Sequence, residues 1–255
     1  GGVPIEVETK EEHGFNLRSD DIKNKINSNT KMICLTSPGN PTGCVIPEDE
    51  LQKIASLAIE NDLIVISDEI YSRIYFGEES VAPSIFSQSG MSERTVIING
   101  FSKFFSMDGW RLGWTIASPE ISRHLLKIRQ YTTVCVNTFI QHGAAAAIAE
   151  DQTPMEEMKE AFSLRRNIIV DGLKSIKGVS LALPTGAFYA FPNVKAFGPS
   201  SADVADYLLN EHAIATIDGG VFGKAGEGYL RIAYSCSSEE CEKGVERLKT
   251  ALEKI

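Results

Sequence analysis

The stretch Met32-Ile33-Cys34-Leu35-Thr36-Ser37-Pro38-Gly39-Asn40-Pro41-Thr42-Gly43 decides the fold. Met32–Thr36 is a compact apolar run, the pattern of a buried strand. It stops in a dense cluster of turn formers, Ser37 to Gly43. Pro47–Asn61 follows and reads as a helix. Pro47 lies near its start, and Glu48, Asp49 and Glu50 suit the positive end of its dipole. Leu51, Ile54, Ala55, Ala58 and Ile59 make its apolar stripe. Leu63–Ser67 is then a second buried strand, ending at Asp68-Glu69. Strand, helix, strand, with little alternation inside the strands, predicts an α/β sheet covered on both faces.

The pattern extends outward from there. Val3–Val7 alternates as a short strand, and Asp20–Asn27 suits a short helix. Thr95–Ile98 is a third core strand, followed by Asn99-Gly100-Phe101-Ser102-Lys103, and Leu112–Ala117 is another. Helices are expected over Pro119–Thr132, Thr138–Glu150 and Thr153–Ile176. After Gly178 the style changes. Val179–Leu183, Ala187–Phe191, Ile214–Ile217 and Tyr229–Ala233 read as strands, Ser201–His212 and Ser238–Ile255 as helices. The glycines at 219, 220, 223, 226 and 228 match no phosphate-loop or dinucleotide fingerprint and read as a flexible turn. A boundary near residue 155 divides an α/β part, 1–155, from an α+β part, 156–255.

The composition narrows the function. In 255 residues, 43% are hydrophobic and 23% charged, which excludes a disordered or fibrous chain. The net charge of −9 argues against nucleic-acid binding through bulk charge. No apolar run approaches bilayer-crossing length, so no membrane partner is expected. The start Gly1-Gly2-Val3-Pro4 has no signal-peptide pattern. Five scattered cysteines without C-x-x-C suit free thiols in a reducing compartment, and a cytoplasmic location is expected. His13, His124, His142 and His212 make no metal-ligand spacing, so no metal is expected.

Three polar clusters fall at strand ends: Asn40 after the first, Asp68 to Tyr71 after the second, Ser102-Lys103 after the third. Open α/β sheets bind ligands outside the carboxyl ends of their strands. Taken singly, each cluster has a plainer reading. Asn-Pro-Thr-Gly turns the chain, Asp68 caps a helix, Lys103 is a solvated lysine and Arg111 pairs with a surface carboxylate. Their order brings an acid, a lysine, an arginine and a phenol to one edge.

Four motifs carry a resemblance. Ser37-Pro38-Gly39-Asn40-Pro41-Thr42-Gly43, Ser67-Asp68-Glu69-Ile70-Tyr71, Ser102-Lys103 with Gly109-Trp110-Arg111-Leu112-Gly113, and Tyr229-Leu230-Arg231-Ile232 resemble the class I/II aminotransferases. These are pyridoxal-phosphate enzymes of fold type I. The likeness runs from about Gly1 to Ile255, and Pro184-x-Gly-Ala-Phe-Tyr189 fits it too. It implies a three-layer α/β large domain with a mostly parallel sheet, here partial, plus a smaller α+β C-terminal domain.

The resemblance also implies roles. Lys103 forms a Schiff base with pyridoxal 5'-phosphate and, once freed, moves a proton at the substrate. Asp68 pairs with the pyridine nitrogen. Tyr71 and Asn40 hydrogen-bond the ring's phenolic oxygen. Arg111 grips the phosphate, Ser102 adds a hydroxyl, and Arg231 takes the substrate α-carboxylate with Asn40 nearby. Implied partners are an amino acid and a 2-oxo acid in amino acid metabolism. The implied reaction is transamination. A C–S β-lyase on the same scaffold, or a fragment that folds but binds cofactor weakly, are the other readings.

Two features depart from the pattern. Gly100 stands where many relatives carry a phosphate-binding serine, and offers only backbone. Relatives also have a segment before the position of Gly1, with a phosphate-cradling loop, an aromatic that stacks on the ring and a tyrosine donated across a dimer interface. A cleaved or truncated chain, a second polypeptide and a short gene each account for this. Exposed apolar surface is then expected to drive association, as a homodimer or with that segment.

Overall fold

The computed structural model describes residues 1–255. Four strands form the main sheet: β1 (Met32–Thr36), β2 (Ile64–Asp68), β3 (Thr95–Gly100) and β4 (Gly113–Ile116), in that spatial order. The first three are parallel and β4 runs antiparallel to β3. Thr36 pairs with Asp68, Asp68 with Ile98, and Gly100 with Gly113. One edge of the sheet therefore collects the ends of β1, β2 and β3 and the beginning of β4.

After a short α1 (Ser19–Lys23), the crossover helix α2 (Glu48–Glu60) packs on this sheet. Leu51, Ile54, Ala55, Leu57 and Ala58 are buried against Ile33, Leu35, Leu63 and Val65. Leu57 replaces Ile59 in the expected stripe, since Ile59 is exposed. The expectation of a sheet covered on both faces is corrected. β1 and β2 alternate in burial, because α2 covers a single face. The other face leaves Met32 and Ile98 exposed.

The helices α3 (Pro119–Thr132) and α4 (Thr138–Ala149) follow. α3 buries no residue and α4 buries only Ala144. Then α5 (Thr153–Lys174) packs along α7 (Ser238–Leu252), with Phe162, Ile169 and Leu173 in one core with Leu248 and Leu252. A second sheet has β5 (Tyr189–Ala190), β7 (Leu230–Ala233) and β6 (Ile217–Asp218) in the order β5-β7-β6, all antiparallel, beside α6 (Ser201–His212). Tyr71, Ile74 and Phe104, from the first half of the chain, belong to the same core as Tyr189, Leu230 and Ile232. The ends of β2 and β3 thereby abut the second sheet.

Three local expectations change. Val3–Val7 joins no sheet. In Val179–Leu183 only Ser180 pairs, through one bridge to Asn193. The glycine-rich stretch is a packed corner of two 3-10 turns, not a flexible turn. Gly219 is buried and donates its N–H to the Tyr229 carbonyl at 2.8 Å. A Cβ at Gly219 would meet that same carbonyl oxygen at 2.6 Å and the Gly226 backbone closer still. Backbone contact, not mobility, is what requires glycine there.

Candidate active site

The turn after β1 is held by its own backbone. Gly39 N–H donates to the Cys44 carbonyl at 2.8 Å and Gly43 N–H to the Gly39 carbonyl at 2.9 Å. Gly43 has φ +69°, and a Cβ there would meet the Tyr189 carbonyl at 2.7 Å. Asn40 stands exposed at the tip. Its Oδ1 accepts a hydrogen bond from Arg231 Nη1 at 3.0 Å.

Asp68 ends β2, half-buried, and its Oδ1 accepts the Ile70 N–H at 3.1 Å. Beneath it the buried Glu69 accepts from Ser84 Oγ at 2.6 Å and Ser67 Oγ at 2.9 Å. Burial raises the Glu69 pKa, with a smaller push from the Asp68 charge, against lowering by the two serines. Tyr71 is buried one turn on. Its hydroxyl lies 2.9 Å from that of Tyr189, and its ring meets Phe188 and Tyr189 edge-on. Burial first, then the Tyr189 hydrogen bond, pushes the Tyr71 phenol above its ordinary range. The Asp68 charge adds to that and Arg231 opposes it. Both charged groups thus act on one phenol.

Ser102 and Lys103 follow β3, both half-buried. Lys103 Nζ lies 5.7 Å from the Tyr71 ring centroid and 5.8 Å from that of Phe188. The amine faces aromatic walls within the range of cation–π attraction. Because β4 is antiparallel to β3, Arg111 returns to the same edge just before β4 begins. It is exposed, with a left-handed φ of 53°, and Nη1 donates to the Asp108 carbonyl at 2.8 Å. Ser102, Arg111, Asn99 and Gly100 line an open cleft of about 220 Å³ there, with Ile70 and Leu112. A Cβ on Gly100 would approach Gly113 Cα and the Leu112 carbonyl at 3.0 Å. Glycine lets the strands close behind the cleft.

Arg231 comes from β7 of the second sheet. Its Cζ lies 4.8 Å from the Tyr189 ring centroid and 5.2 Å from that of Phe222. Its Nε is buried with no hydrogen-bond partner. An unpartnered buried N–H of a guanidinium suits a carboxylate ligand.

The main sheet thus brings Asp68, Tyr71, Ser102, Lys103 and Arg111 to one edge, and the second sheet brings Arg231 to Asn40 on that side. Tyr189, Phe188 and Phe222 were not singled out from the sequence as site-forming. The adjacent aromatic pair Phe188-Tyr189 in Pro184-x-Gly-Ala-Phe-Tyr189 is the local signal the sequence offers for those two. The residues present fit a phosphate-bearing pyridine aldehyde. They comprise a cleft with a guanidinium and a hydroxyl, a carboxylate, a phenol and an amine against aromatic walls.

A sequence profile described as Aminotransferase class I and II matches residues 1–248. The chain belongs to the class I and II aminotransferases. An aspartate aminotransferase of Pyrococcus abyssi is 41% identical to it over 254 residues, covering 99% of the chain and 65% of that relative. An aromatic-amino-acid aminotransferase 2 of Thermococcus litoralis is 38% identical, with 99% and 65% covered. The solved aromatic aminotransferase of Pyrococcus horikoshii superposes with a TM-score of 0.95 at 39% identity, over 100% of this chain and 68% of that one. The chain therefore spans 65% of the length of these two curated aminotransferases. With neighbours of this similarity and a mostly parallel sheet flanked by helices, its fold is the fold type I of the pyridoxal-phosphate transferases.

Proposed function

We propose that this chain acts in a pyridoxal-phosphate-dependent aminotransferase, moving an amino group between an L-amino acid and a 2-oxo acid. One observation carries the reading: the Lys103 amine lies against the Tyr71 ring, whose hydroxyl is shared with Tyr189, over which Arg231 stacks. Amine, phenol and carboxylate receptor are therefore neighbours.

When bound, pyridoxal phosphate supplies a conjugated ring that takes up the electron pair left by a broken Cα–H bond. Lys103 Nζ would hold its aldehyde carbon while substrate is away, then carry the proton from the substrate Cα. Asp68 would keep a proton on the ring nitrogen. The Tyr71 hydroxyl and the Asn40 amide would donate to the ring's phenolic oxygen. Arg111 and Ser102 would hold the phosphate, where a planar guanidinium fits two oxygens at once. Arg231 would grip the α-carboxylate, and its bond to Asn40 orients it for that. The names of the relatives put aspartate and aromatic amino acids among the substrates to try first.

Residues 1–155 form, in this reading, part of the cofactor-binding domain, and 156–255 the smaller domain. The exposed apolar residues on the main sheet and on α3 and α4 favour a homodimer, or association with a further polypeptide segment. No helix is long and apolar enough to cross a membrane.

The test uses the purified full chain. Added pyridoxal phosphate should give a visible absorbance band that Lys103→Ala abolishes. An amino acid should then bleach it and release the matching 2-oxo acid in proportion to the cofactor. A band that survives Lys103→Ala overturns the assignment of the amine.

A further inference from the structure

Two of the five cysteines lie together at the start of α7. Ser237 caps α7: its Oγ accepts the Glu240 N–H at 3.2 Å. Ser237-Ser238-Glu239-Glu240 has the spacing of a capping box. In that arrangement the residue before the cap and the fourth helical residue pack against each other, usually as an apolar staple. Here those positions are Cys236 and Cys241, and their sulfurs lie 3.5 Å apart.

The two thiols differ in access. Cys236 is exposed and Cys241 is buried. An oxidant reaches the first and not the second, while the second sits in contact to displace it. This division supplies an accessible attacking sulfur and a neighbouring resolving one, the two roles of successive thiol–disulfide exchanges. Burial, then the Cys236 thiol beside it, pushes the Cys241 thiol up to about 12, and the Arg165 guanidinium on α5 opposes this. The other cysteines lack such a neighbour. Cys34 and Cys135 are exposed and single, and Cys44 is half-buried, its thiol bonded to the Phe15 carbonyl.

We propose that Cys236 and Cys241 are a redox-active dithiol that closes to an intrachain disulfide across the start of α7. The Cys236 thiolate attacks one sulfur of a small-molecule disulfide. The reagent's S–S bond breaks, one reagent thiolate leaves, and a mixed disulfide forms. Cys241 gives its proton to solvent and its sulfur attacks Cys236 Sγ, expelling the second reagent thiolate. Two electrons pass from the cysteine pair to the reagent, which ends as two thiols. The new bond ties the segment leaving β7, which carries Arg231, to the helix packed on α5.

The test treats the full chain with oxidised or reduced glutathione, blocks free thiols with N-ethylmaleimide after denaturation, and maps tryptic peptides. Ile232–Lys243 contains both cysteines and no other cleavage site. After oxidised glutathione this peptide should carry no maleimide and be two hydrogens lighter than the unblocked dithiol. After reduced glutathione it should carry two maleimides. In Cys241→Ser, Cys236 should retain glutathione. In Cys236→Ser, Cys241 should stay a free thiol, alkylated after denaturation. The proposal is overturned if the wild-type peptide takes two maleimides after oxidation. It is equally overturned if Cys236 keeps glutathione beside a free Cys241, or if Cys236 joins a second chain.

Discussion

Arg231 Nη1 donates to Asn40 Oδ1 at 3.0 Å, joining residues 191 positions apart and two separate sheets. The amide cannot turn the guanidinium without losing this bond, so the receptor arrives oriented. Replacing Arg231 with Lys removes the planar fork and keeps the charge. We expect kcat/KM for any amino acid substrate to fall roughly ten- to a hundredfold, the worth of a charge-assisted bidentate pair. Steady-state kinetics check this, and an unchanged KM and kcat would remove Arg231 from the site.

Asp68 is the carboxylate at the end of β2, half-buried between its parallel neighbours β1 and β3. Asp68→Ala should abolish transamination while part of the cofactor stays bound through Lys103 and Arg111. Absorbance and single-turnover product release measure the two separately. Turnover near that of the unaltered chain would refute the role.

The Tyr71 and Tyr189 hydroxyls satisfy each other inside the core at 2.9 Å. Tyr71→Phe leaves the Tyr189 hydroxyl buried without its partner and should cost about 1–3 kcal/mol of stability. Adding Tyr189→Phe removes the orphan as well. The double variant should be destabilised by less than the sum of the single ones. Urea denaturation of the three variants tests this, and strict additivity would contradict the pairing.

Tyr229 stacks on Phe191 and faces Glu11, whose carboxylate accepts its hydroxyl proton at 3.2 Å. Burial, then the Glu11 charge, pushes its pKa up to about 12. The unfolded phenol ionises near 10, so between about pH 10 and 12 the folded form binds more protons. Stability should fall as pH rises through that window, with no contribution from this group below it. Tyr229→Phe should flatten the alkaline limb of a melting-temperature profile. A limb of unchanged slope would mean that another group sets it.

The helix α3 buries none of its residues, and Leu126, Ile128 and Tyr131 on it are exposed, with Phe139 on α4. The chain should therefore self-associate at micromolar concentration, or bind a further segment of the protein. Ile128→Lys should weaken that association. Analytical ultracentrifugation decides, and a clean monomer of the unaltered chain at such concentrations speaks against it.

Much of the main sheet was legible because its signals are local. The apolar runs at Met32, Leu63 and Thr95, and the turn chemistry after each, depend on neighbours within a few residues. The same logic failed on Val3–Val7 and Val179–Leu183, where alternation exists but few partners accept the hydrogen bonds. It failed again on coverage. The strands look apolar on both sides, yet β1 and β2 are buried on the α2 face alone, so their burial alternates.

By itself the sequence placed each strand of the main sheet to within two residues. A strand's length and its closing turn are settled by side-chain period and backbone preference over a few residues. That sufficed to put Asn40, Asp68 and Lys103 at one edge once the strands were parallel. Only the tertiary structure decided that Tyr189 meets Tyr71, that Arg231 reaches Asn40, and that Lys103 faces aromatic rings. Those contacts span long stretches of chain, and they follow from how the second sheet packs on the first, which no local pattern encodes.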